Sequence, residues 1–245
     1  MQLFLAVLAL PLVATGCDRI FGLDGRSDPD ARILFDDAPP GRDAPSDSAA
    51  SCTLVERFDT TFADLSTRWT RYDGTAVPQA TLDVKDDTLI FDLPIAAAEN
   101  HTGIIRNVPL DLTGGSIHLE IVDPTTATNG FNLYIKLYDE LQSNRYYQAI
   151  VDGTKLRFRQ QAGPVALDDQ PFKFDRSGDR HLRIRHDGAF LVLETSFDNV
   201  TYNARISRSI ANVPIHKLRV EIGSGTYAIQ PATLQPRVDN FEFCL

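Results

Sequence analysis

The sequence lacks the clustered positive charge that proteins use to bind nucleic acids. Its formal net charge is −9, and no block of lysine or arginine stands out along the chain. Proteins that bind DNA or RNA neutralise backbone phosphates with grouped Lys and Arg side chains. We therefore expect no nucleic-acid partner, and no attraction of the folded region to an anionic membrane surface.

Long hydrophobic runs and sustained helical periodicity are also missing. The apolar stretch from Leu3 to Ala14 is shorter than the roughly 20 residues that a membrane-spanning helix needs. It has the length of the hydrophobic region of a secretory signal peptide. The sequence thus predicts an exported chain without a helical membrane span at this end.

Cys17 follows the apolar stretch directly after the small residues Ala14, Thr15 and Gly16. The arrangement resembles the bacterial lipobox, in which small residues precede a cysteine that becomes diacylated. The resemblance implies a signal peptide over residues 1–16, acyl chains such as palmitate on Cys17, and anchoring in the cell envelope, on the periplasmic face or the cell surface. The alternative is an ordinary secreted protein with a free thiol at Cys17.

Glutamate and lysine do not occur between residues 18 and 51, whereas aspartate and proline are frequent there. The most biased part reads "DAPPGRDAPSDSAAS". A segment with many charges and few large apolar residues cannot offset the entropy lost on ordering. We predict that residues 17–51 comprise the lipidated cysteine and a flexible acidic tether, which spans about 30 Å.

Two further cysteines bracket the rest of the chain, Cys52 after the tether and Cys244 as the penultimate residue. If Cys17 is modified, only one pairing is left. A disulfide between them would close nearly the whole domain into one loop, and it would indicate an oxidising compartment. The alternative is two buried thiols.

Residues 52–245 show the pattern of one β domain. Apolar and polar residues alternate, as in half-buried strands, over segments 88–94, 103–109, 115–123, 130–139, 145–153, 154–161, 180–188, 189–197, 216–224 and 237–243. Asp152-Gly153 and Asp187-Gly188 separate paired segments and favour tight hairpins. One turn of helix is predicted within residues 62–69. The repeated short strands predict two packed antiparallel sheets.

Three stretches resemble concanavalin A-like lectin/glucanase domains, which are similar to laminin-G-like domains. They are "VERFDTTFADLSTRWTRYDG" (55–74), "RHLRIRHDGAFLVLETSFDNVTYNARI" (180–206) and "VDNFEF" (238–243). The resemblance implies an all-β jelly-roll sandwich over residues 52–245, with the closing strand beside the first one. That adjacency would bring Cys52 and Cys244 together.

Laminarinase-like members of this family carry Glu-x-Asp-x-x-Glu on one strand, and its carboxylates perform the glycosidic chemistry. The motif is missing here, because Glu120 and Asp123 have a different spacing and Glu194 is next followed by Asp198. Gly-x-Ser-x-Gly, His-Glu-x-x-His and phosphate-loop motifs are missing as well. We therefore predict a domain that is not an enzyme, with a degenerate glycoside hydrolase as a minor alternative.

The segment from 130 to 138 presents polar and aromatic side chains on one of its two faces. Tyrosine rings stack on sugars, and amide, ammonium and guanidinium groups bond hydroxyls or carboxylates. With the next hairpin, which also adds Tyr146 or Tyr147 depending on the register, the candidate ligand-binding residues are Asn132, Tyr134, Lys136, Tyr138, Arg157 and Arg159. They predict non-catalytic binding of a glycan or another envelope component. The alternative is the solvent-facing sheet of a structural or protein-interaction module, which the single tryptophan, Trp69, favours.

In some relatives a structural Ca²⁺ lies where the first and last strands meet. The resemblance implies Glu56, Asp59 and Asp239 as its ligands here, since Ca²⁺ prefers carboxylate and other oxygen ligands. Alternatively, these carboxylates cap strand ends. No other cofactor is expected.

Overall fold

A computed structural model describes residues 51–95, 99–125, 130–167 and 171–245. The predicted signal peptide, Cys17 and all of the tether except Ser51 lie outside the described residues. The described part contains β1 (Cys52–Glu56), α1 (Phe62–Leu65), β2 (Trp69–Tyr72), β3 (Thr81–Lys85), β4 (Thr88–Asp92), β5 (Asn100–Arg106), β6 (Ser116–Asp123), β7 (Phe131–Asp139), β8 (Arg145–Asp152), β9 (Lys155–Ala162), β10 (Val165–Leu167), β11 (Phe172–Lys173), β12 (His181–Asp187), β13 (Phe190–Ser196), β14 (Asn203–Ser209), β15 (Leu218–Thr226) and β16 (Arg237–Cys244).

The strands form two antiparallel sheets. The first has the order β14-β13-β12-β6-β16-β4-β3, with β1 paired to β16. The second has the order β10-β9-β8-β7-β15-β5-β2, with β11 paired to β9. Neighbours far apart in sequence, such as β6 and β16, give the long connections of a jelly roll. The predicted two-sheet antiparallel sandwich is confirmed.

The core lies between the two sheets. In β7, Phe131, Leu133, Ile135 and Leu137 are buried on one face of the strand, as the alternation predicts. Trp69 of β2 meets Phe241 of β16 edge to face, with ring centroids 5.3 Å apart. Because β2 and β16 belong to different sheets, this aromatic pair packs across the sandwich.

The hairpin and helix predictions are confirmed. Asp152-Gly153 joins β8 to β9, and Asp187-Gly188 joins β12 to β13. Both glycines have positive φ angles, 59° and 61°, which a residue without Cβ adopts at little cost. The helical turn is α1, and among the described residues no helix combines the length and the apolar character required to cross a bilayer.

Cys52 and Cys244 form a disulfide. The two residues lie opposite each other where β1 pairs with β16, so the first strand runs beside the closing strand as the resemblance implied. In the chain-entropy account, a covalent loop of this length stabilises the folded state by about 5 kcal/mol. The alternative of two buried thiols is excluded.

Candidate functional site

One face of the second sheet gathers the residues predicted to bind a ligand. Since Phe131 and Leu133 point into the core, the intervening side chains of β7 point away from it. The residues on this outer face are Asn132, Tyr134, Lys136 and Tyr138 of β7 and Arg157 and Arg159 of β9. The strand between them, β8, adds Tyr146, whereas Tyr147 is fully buried in the core.

The strand register places these residues in rows across the sheet. Tyr134 lies opposite Ile150, which lies opposite Arg157. Adjacent strands are about 4.8 Å apart, and two such spacings separate β7 from β9. One small ligand can therefore contact polar side chains of both strands.

A pocket of about 340 Å³ opens on this face. Three of the six predicted residues, Asn132, Arg157 and Arg159, contribute to its wall. The other lining residues are Gly130, Phe131, Gln148, Ile150, Asp152 and Tyr227. Tyr134, Lys136 and Tyr138 lie outside this lining, so the structure divides the predicted set into two groups.

Asn132 is only 3% exposed although it points away from the core. Its Nδ2 group donates a hydrogen bond of 2.7 Å to the hydroxyl of Tyr227. Its Oδ1 atom is buried and accepts no hydrogen bond from any described residue. Leaving a buried acceptor without a partner costs about 1–3 kcal/mol, so this atom is suited to accept a hydrogen bond from a bound ligand.

Arg157 has a similar unmet donor. Its Nη2 atom lies 3.5 Å from Oδ2 of Asp152, beyond the roughly 2.7–2.9 Å of a strong charge-assisted hydrogen bond. Its buried Nε atom has no hydrogen-bond partner within the described part of the chain. With Arg159 on the same wall, the described lining residues contribute two guanidinium groups and one carboxylate, that of Asp152.

Tyr134 turns away from the pocket, toward β15 and β5. Its hydroxyl lies 2.5 Å from the hydroxyl of Tyr72. Both hydroxyls hydrogen-bond to Oε1 of Glu221, Tyr134 at 2.7 Å and Tyr72 at 2.8 Å. Tyr134 is 7% exposed, so it presents little ring surface to a sugar. It instead packs against Tyr72 and Glu221 on the same face of the sheet.

Burial raises the pKa of the Tyr72 hydroxyl above its ordinary value, and the negative charge of Glu221 adds to the effect. Burial likewise raises the pKa of Tyr134, with further contributions from Tyr72 and Glu221. Both phenols therefore keep their protons at neutral pH. Each can act as a hydrogen-bond donor to the Glu221 carboxylate.

Two facing glycines make room for these tyrosines. Gly103 of β5 pairs with Gly223 of β15. A Cβ atom at Gly223 would lie 2.6 Å from the hydroxyl oxygens of both Tyr72 and Tyr134. Only a residue without a side chain allows the two hydroxyls to lie this close to the sheet.

Lys136 is held by its neighbours on the same face. Its Nζ atom lies 4.8 Å from the ring centroid of Tyr146 and 5.3 Å from that of Tyr138. It is also 3.7 Å from Oε2 of Glu221. These cation–π and ionic contacts each contribute about 1 kcal/mol or less at a partly exposed site, and they direct Lys136 toward the tyrosines rather than the pocket.

Tyr227 is one of the pocket residues that sequence reasoning missed, as are Gln148 and Asp152. It follows β15 directly, is 55% exposed and accepts the hydrogen bond from Asn132. The ring of His101 meets it edge to face, with centroids 4.7 Å apart. An exposed, oriented ring at a polar pocket offers the flat apolar surface that sugars stack on. The sequence signal was a tyrosine just after the strand "VEIGSGT".

The surroundings of two of the carboxylates predicted to bind calcium, Glu56 and Asp239, are defined by hydrogen bonds and by burial. Glu56 is buried and binds Nε of Arg68 at 2.9 Å and Nε1 of Trp69 at 3.3 Å. Burial raises the pKa of Asp239 to about 6, with added repulsion from Glu120, Asp87 and Asp59.

Among the described residues, the one group of three metal-binding side chains with closely spaced ligand atoms is Cys52, Glu242 and Cys244. Its two sulfur atoms form the disulfide, which removes them as metal ligands. Glu56, Asp59 and Asp239 are not in this group, and a calcium ion held by them stays a prediction from the resemblance.

No family model and no curated protein sequence matches this chain. In contrast, solved protein structures do match this chain. One, from work on endo-acting O-glycanases with which human gut bacteria initiate mucin breakdown, has a TM-score of 0.57 and 9% identity and covers 79% of this chain and 99% of that chain. The fold is that of the lectin and glucanase jelly rolls.

Two other structures show the same likeness. The VIP36 exoplasmic/lumenal domain, bound to Ca²⁺ and Man3GlcNAc, has a TM-score of 0.56 and 11% identity and covers 78% of this chain and 86% of that chain. A candidate beta-glucanase from Mycobacterium abscessus has a TM-score of 0.60 and 11% identity, and it covers 79% of this chain and 100% of that chain.

The prediction that the domain is not an enzyme is wrong as an inference from this fold, because the chains that share it include glycanases. The missing Glu-x-Asp-x-x-Glu motif excludes only the arrangement in which all catalytic carboxylates come from one strand. Carboxylates on different strands can face one another across a groove, and no linear motif records such a pair.

Proposed function

We propose that this chain is an exported lipoprotein, anchored through Cys17 to a membrane of the cell envelope, whose β-sandwich binds carbohydrate in the pocket around Asn132. The observation that carries the binding proposal is Asn132, a residue of the pocket lining whose buried Oδ1 atom has no hydrogen-bond partner among the described residues. A sugar hydroxyl would supply the missing donor.

The pocket also suits a sugar in its other features. The exposed ring of Tyr227 would pack against a pyranose face, while Arg157 would donate hydrogen bonds to ring or hydroxyl oxygens. The solved structures with this fold support the ligand class, since one of them is bound to Man3GlcNAc and another comes from work on O-glycanases.

A glycan array followed by calorimetry tests the binding proposal. Asn132→Ala should weaken binding of the captured glycan by about tenfold, the equivalent of 1.4 kcal/mol. Asn203→Ala, an exposed asparagine of β14 in the other sheet, should leave binding unchanged. Because glycanases share this fold, the same incubations should be assayed for newly formed reducing ends.

Two results would count against carbohydrate binding. One is the absence of binding to every glycan offered, which would favour the alternative of a protein-interaction module. The other is an equal loss of affinity in the Asn132 and Asn203 variants, which would place the ligand away from the pocket.

The anchor is tested by the intact mass of the membrane-extracted protein. We expect a mature chain that begins at Cys17 and carries acyl mass. The Cys17→Ala variant should lose the added mass and leave the membrane fraction. An unmodified soluble chain, cleaved at another site, would overturn the anchoring proposal.

A further inference from the structure

We infer that the carbohydrate site continues past the pocket onto the paired rings of Tyr138 and Tyr146, so that it takes a linear oligosaccharide of two or more units rather than one terminal sugar. The inference rests on the carbohydrate binding proposed above and specifies the size of the ligand.

The strand register places the two rings directly beside the pocket. Tyr138 of β7 lies opposite Tyr146 of β8. Two residues further along β8, Gln148 lies opposite Arg159 of β9, and both belong to the described lining of the pocket. Two residues of a strand span about 7 Å. A glycan that fills the pocket as far as Gln148 therefore reaches the rings with its next unit.

Both rings lie on the ligand face and are partly exposed. Because Leu137 and Tyr147 are buried in the core, their neighbours Tyr138 and Tyr146 point to the outer side of the sheet. Each of the two is half-buried. A tyrosine ring offers a flat apolar surface with a polar group at its edge, which suits the apolar face and the hydroxyls of a pyranose.

Lys136 orients the ring pair before any ligand binds. Its Nζ atom lies 5.3 Å from the ring centroid of Tyr138 and 4.8 Å from that of Tyr146. Because these contacts restrict both rings, less side-chain entropy is lost when a ligand packs on them. The partly exposed ammonium group can also donate hydrogen bonds to sugar oxygens next to the rings.

Gln148 connects the pocket to the ring pair. It lies opposite Lys136 in the strand register and is half-buried on the same outer face. Its amide group offers both donors and an acceptor, so it can bond the hydroxyls on either side of a glycosidic linkage. One sugar unit would occupy the pocket, the linkage would lie over Gln148, and the next unit would pack on the rings.

A length series of oligosaccharides tests the inference by calorimetry. The probes are mannose with its linear oligomers and glucose with the laminarin oligomers, each from one to four units, together with fragments of any glycan that the array captures. In the series that binds, we expect affinity to rise about threefold to tenfold once a second unit can reach the rings.

Three variants assign the gain to the ring pair. Tyr146→Ala should lower the affinity of the longer oligomers about threefold to tenfold more than that of the single sugar. Tyr146→Phe keeps the ring and should retain the gain with length. Phe190→Ala is the matched control, because Phe190 is an aromatic residue of β13 in the first sheet that is 47% exposed.

Nuclear magnetic resonance of the parent chain, with isotope-labelled tyrosine rings, needs no substitution at the rings. The ring signals of Tyr138 and Tyr146 should shift when a longer oligomer is added and stay in place with the single sugar. This measurement keeps the inference falsifiable if Tyr146→Ala does not fold.

The outcomes separate the inference from the function on which it rests. Affinity that is independent of length, together with a loss in Asn132→Ala, would overturn the extended site and leave carbohydrate binding standing. An equal loss in Tyr146→Ala for the single sugar and the longer oligomers would also overturn the separate ring subsite. Binding to none of the oligomers, nor to any glycan of the array, would overturn both proposals.

Discussion

The hydroxyl oxygens of Tyr72 and Tyr134 lie 2.5 Å apart above the sheet, and both groups bind the same oxygen of Glu221. The two tyrosines come from β2 and β7, which are separated by β5 and β15. Gly103 and Gly223 occupy the intervening positions. The hydrogen-bonded cluster of Tyr72, Tyr134 and Glu221 thus depends on two residues that have no side chain.

Gly223→Ala is expected to lower the free energy of unfolding by about 1–3 kcal/mol, the usual range for overpacking. The new Cβ atom would lie 2.6 Å from both tyrosine hydroxyls, which would have to move. Urea denaturation measures the change. Gly178→Ala is the matched control, since its Cβ would meet no atom closer than 3.7 Å. Equal destabilisation by both substitutions would contradict the close packing.

Alkaline pH should destabilise the fold through Tyr72 and Tyr134. Burial raises the pKa of both hydroxyls in the folded protein, whereas an unfolded tyrosine ionises near pH 10. The stability from the neutral phenols is therefore complete below about pH 10 and is lost as the pH rises above it.

The measurement is the midpoint of urea denaturation at a series of alkaline pH values. A Tyr72→Phe, Tyr134→Phe double variant should show a shallower decline than the parent chain. Parallel declines in both proteins would mean that other groups dominate the alkaline transition.

Asp239 should make the fold more stable as the pH falls below neutrality. Burial raises the pKa of Asp239 from 3.8 to about 6, so the folded state favours the protonated form. This contribution is fully present below about pH 4 and is lost as the pH rises through about 6. Asp239→Asn should therefore raise the melting temperature at about pH 7.5, with a gain that shrinks as the pH falls and disappears only below about pH 4.

Asp83→Asn is the control for this pH series, because Asp83 is exposed in β3. Its melting temperature should follow that of the parent chain at every pH. A gain from Asp239→Asn that is the same at all pH values would refute the assignment to Asp239 ionisation.

The disulfide should make a large contribution to stability. Replacing Cys52 and Cys244 together by serine is expected to lower the free energy of unfolding by up to about 5 kcal/mol, because the unfolded chain regains the entropy that the covalent loop removed. Urea denaturation of the double variant measures the loss. A reducing agent should lower the stability of the parent chain and leave that of the variant unchanged.

The sequence was sufficient to predict most strands. Alternation located the long strands, and Asp-Gly pairs located two hairpins, because both signals are local. The predicted segments do not include β1, β2, β3, β10, β11 and β14. Of these, β2 is only four residues long and all three residues of β10 are exposed, so neither has a clear alternation. The proximity of Cys52 and Cys244 required the resemblance, since nothing in either local sequence indicates that the ends of the domain pair.

The site was predictable in part. Alternation correctly placed Asn132, Arg157 and Arg159 on one face, but it could not show that Tyr134 leans over Gly223, because that depends on the pairing of β7 with β15. Tyr227 lies 95 residues from Asn132, so their contact is a product of the fold and leaves no spacing pattern in the sequence.

The disulfide also determines how the domain responds to mechanical force. A pull on the chain before Cys52 would pass through the sulfur–sulfur bond to Cys244 and thus into β16, a strand flanked by β6 and β4 within the first sheet. β1 could not be peeled away as an edge strand. Force from the tether would thus be spread over β16 and its neighbours in the first sheet before it reaches the pocket in the second sheet.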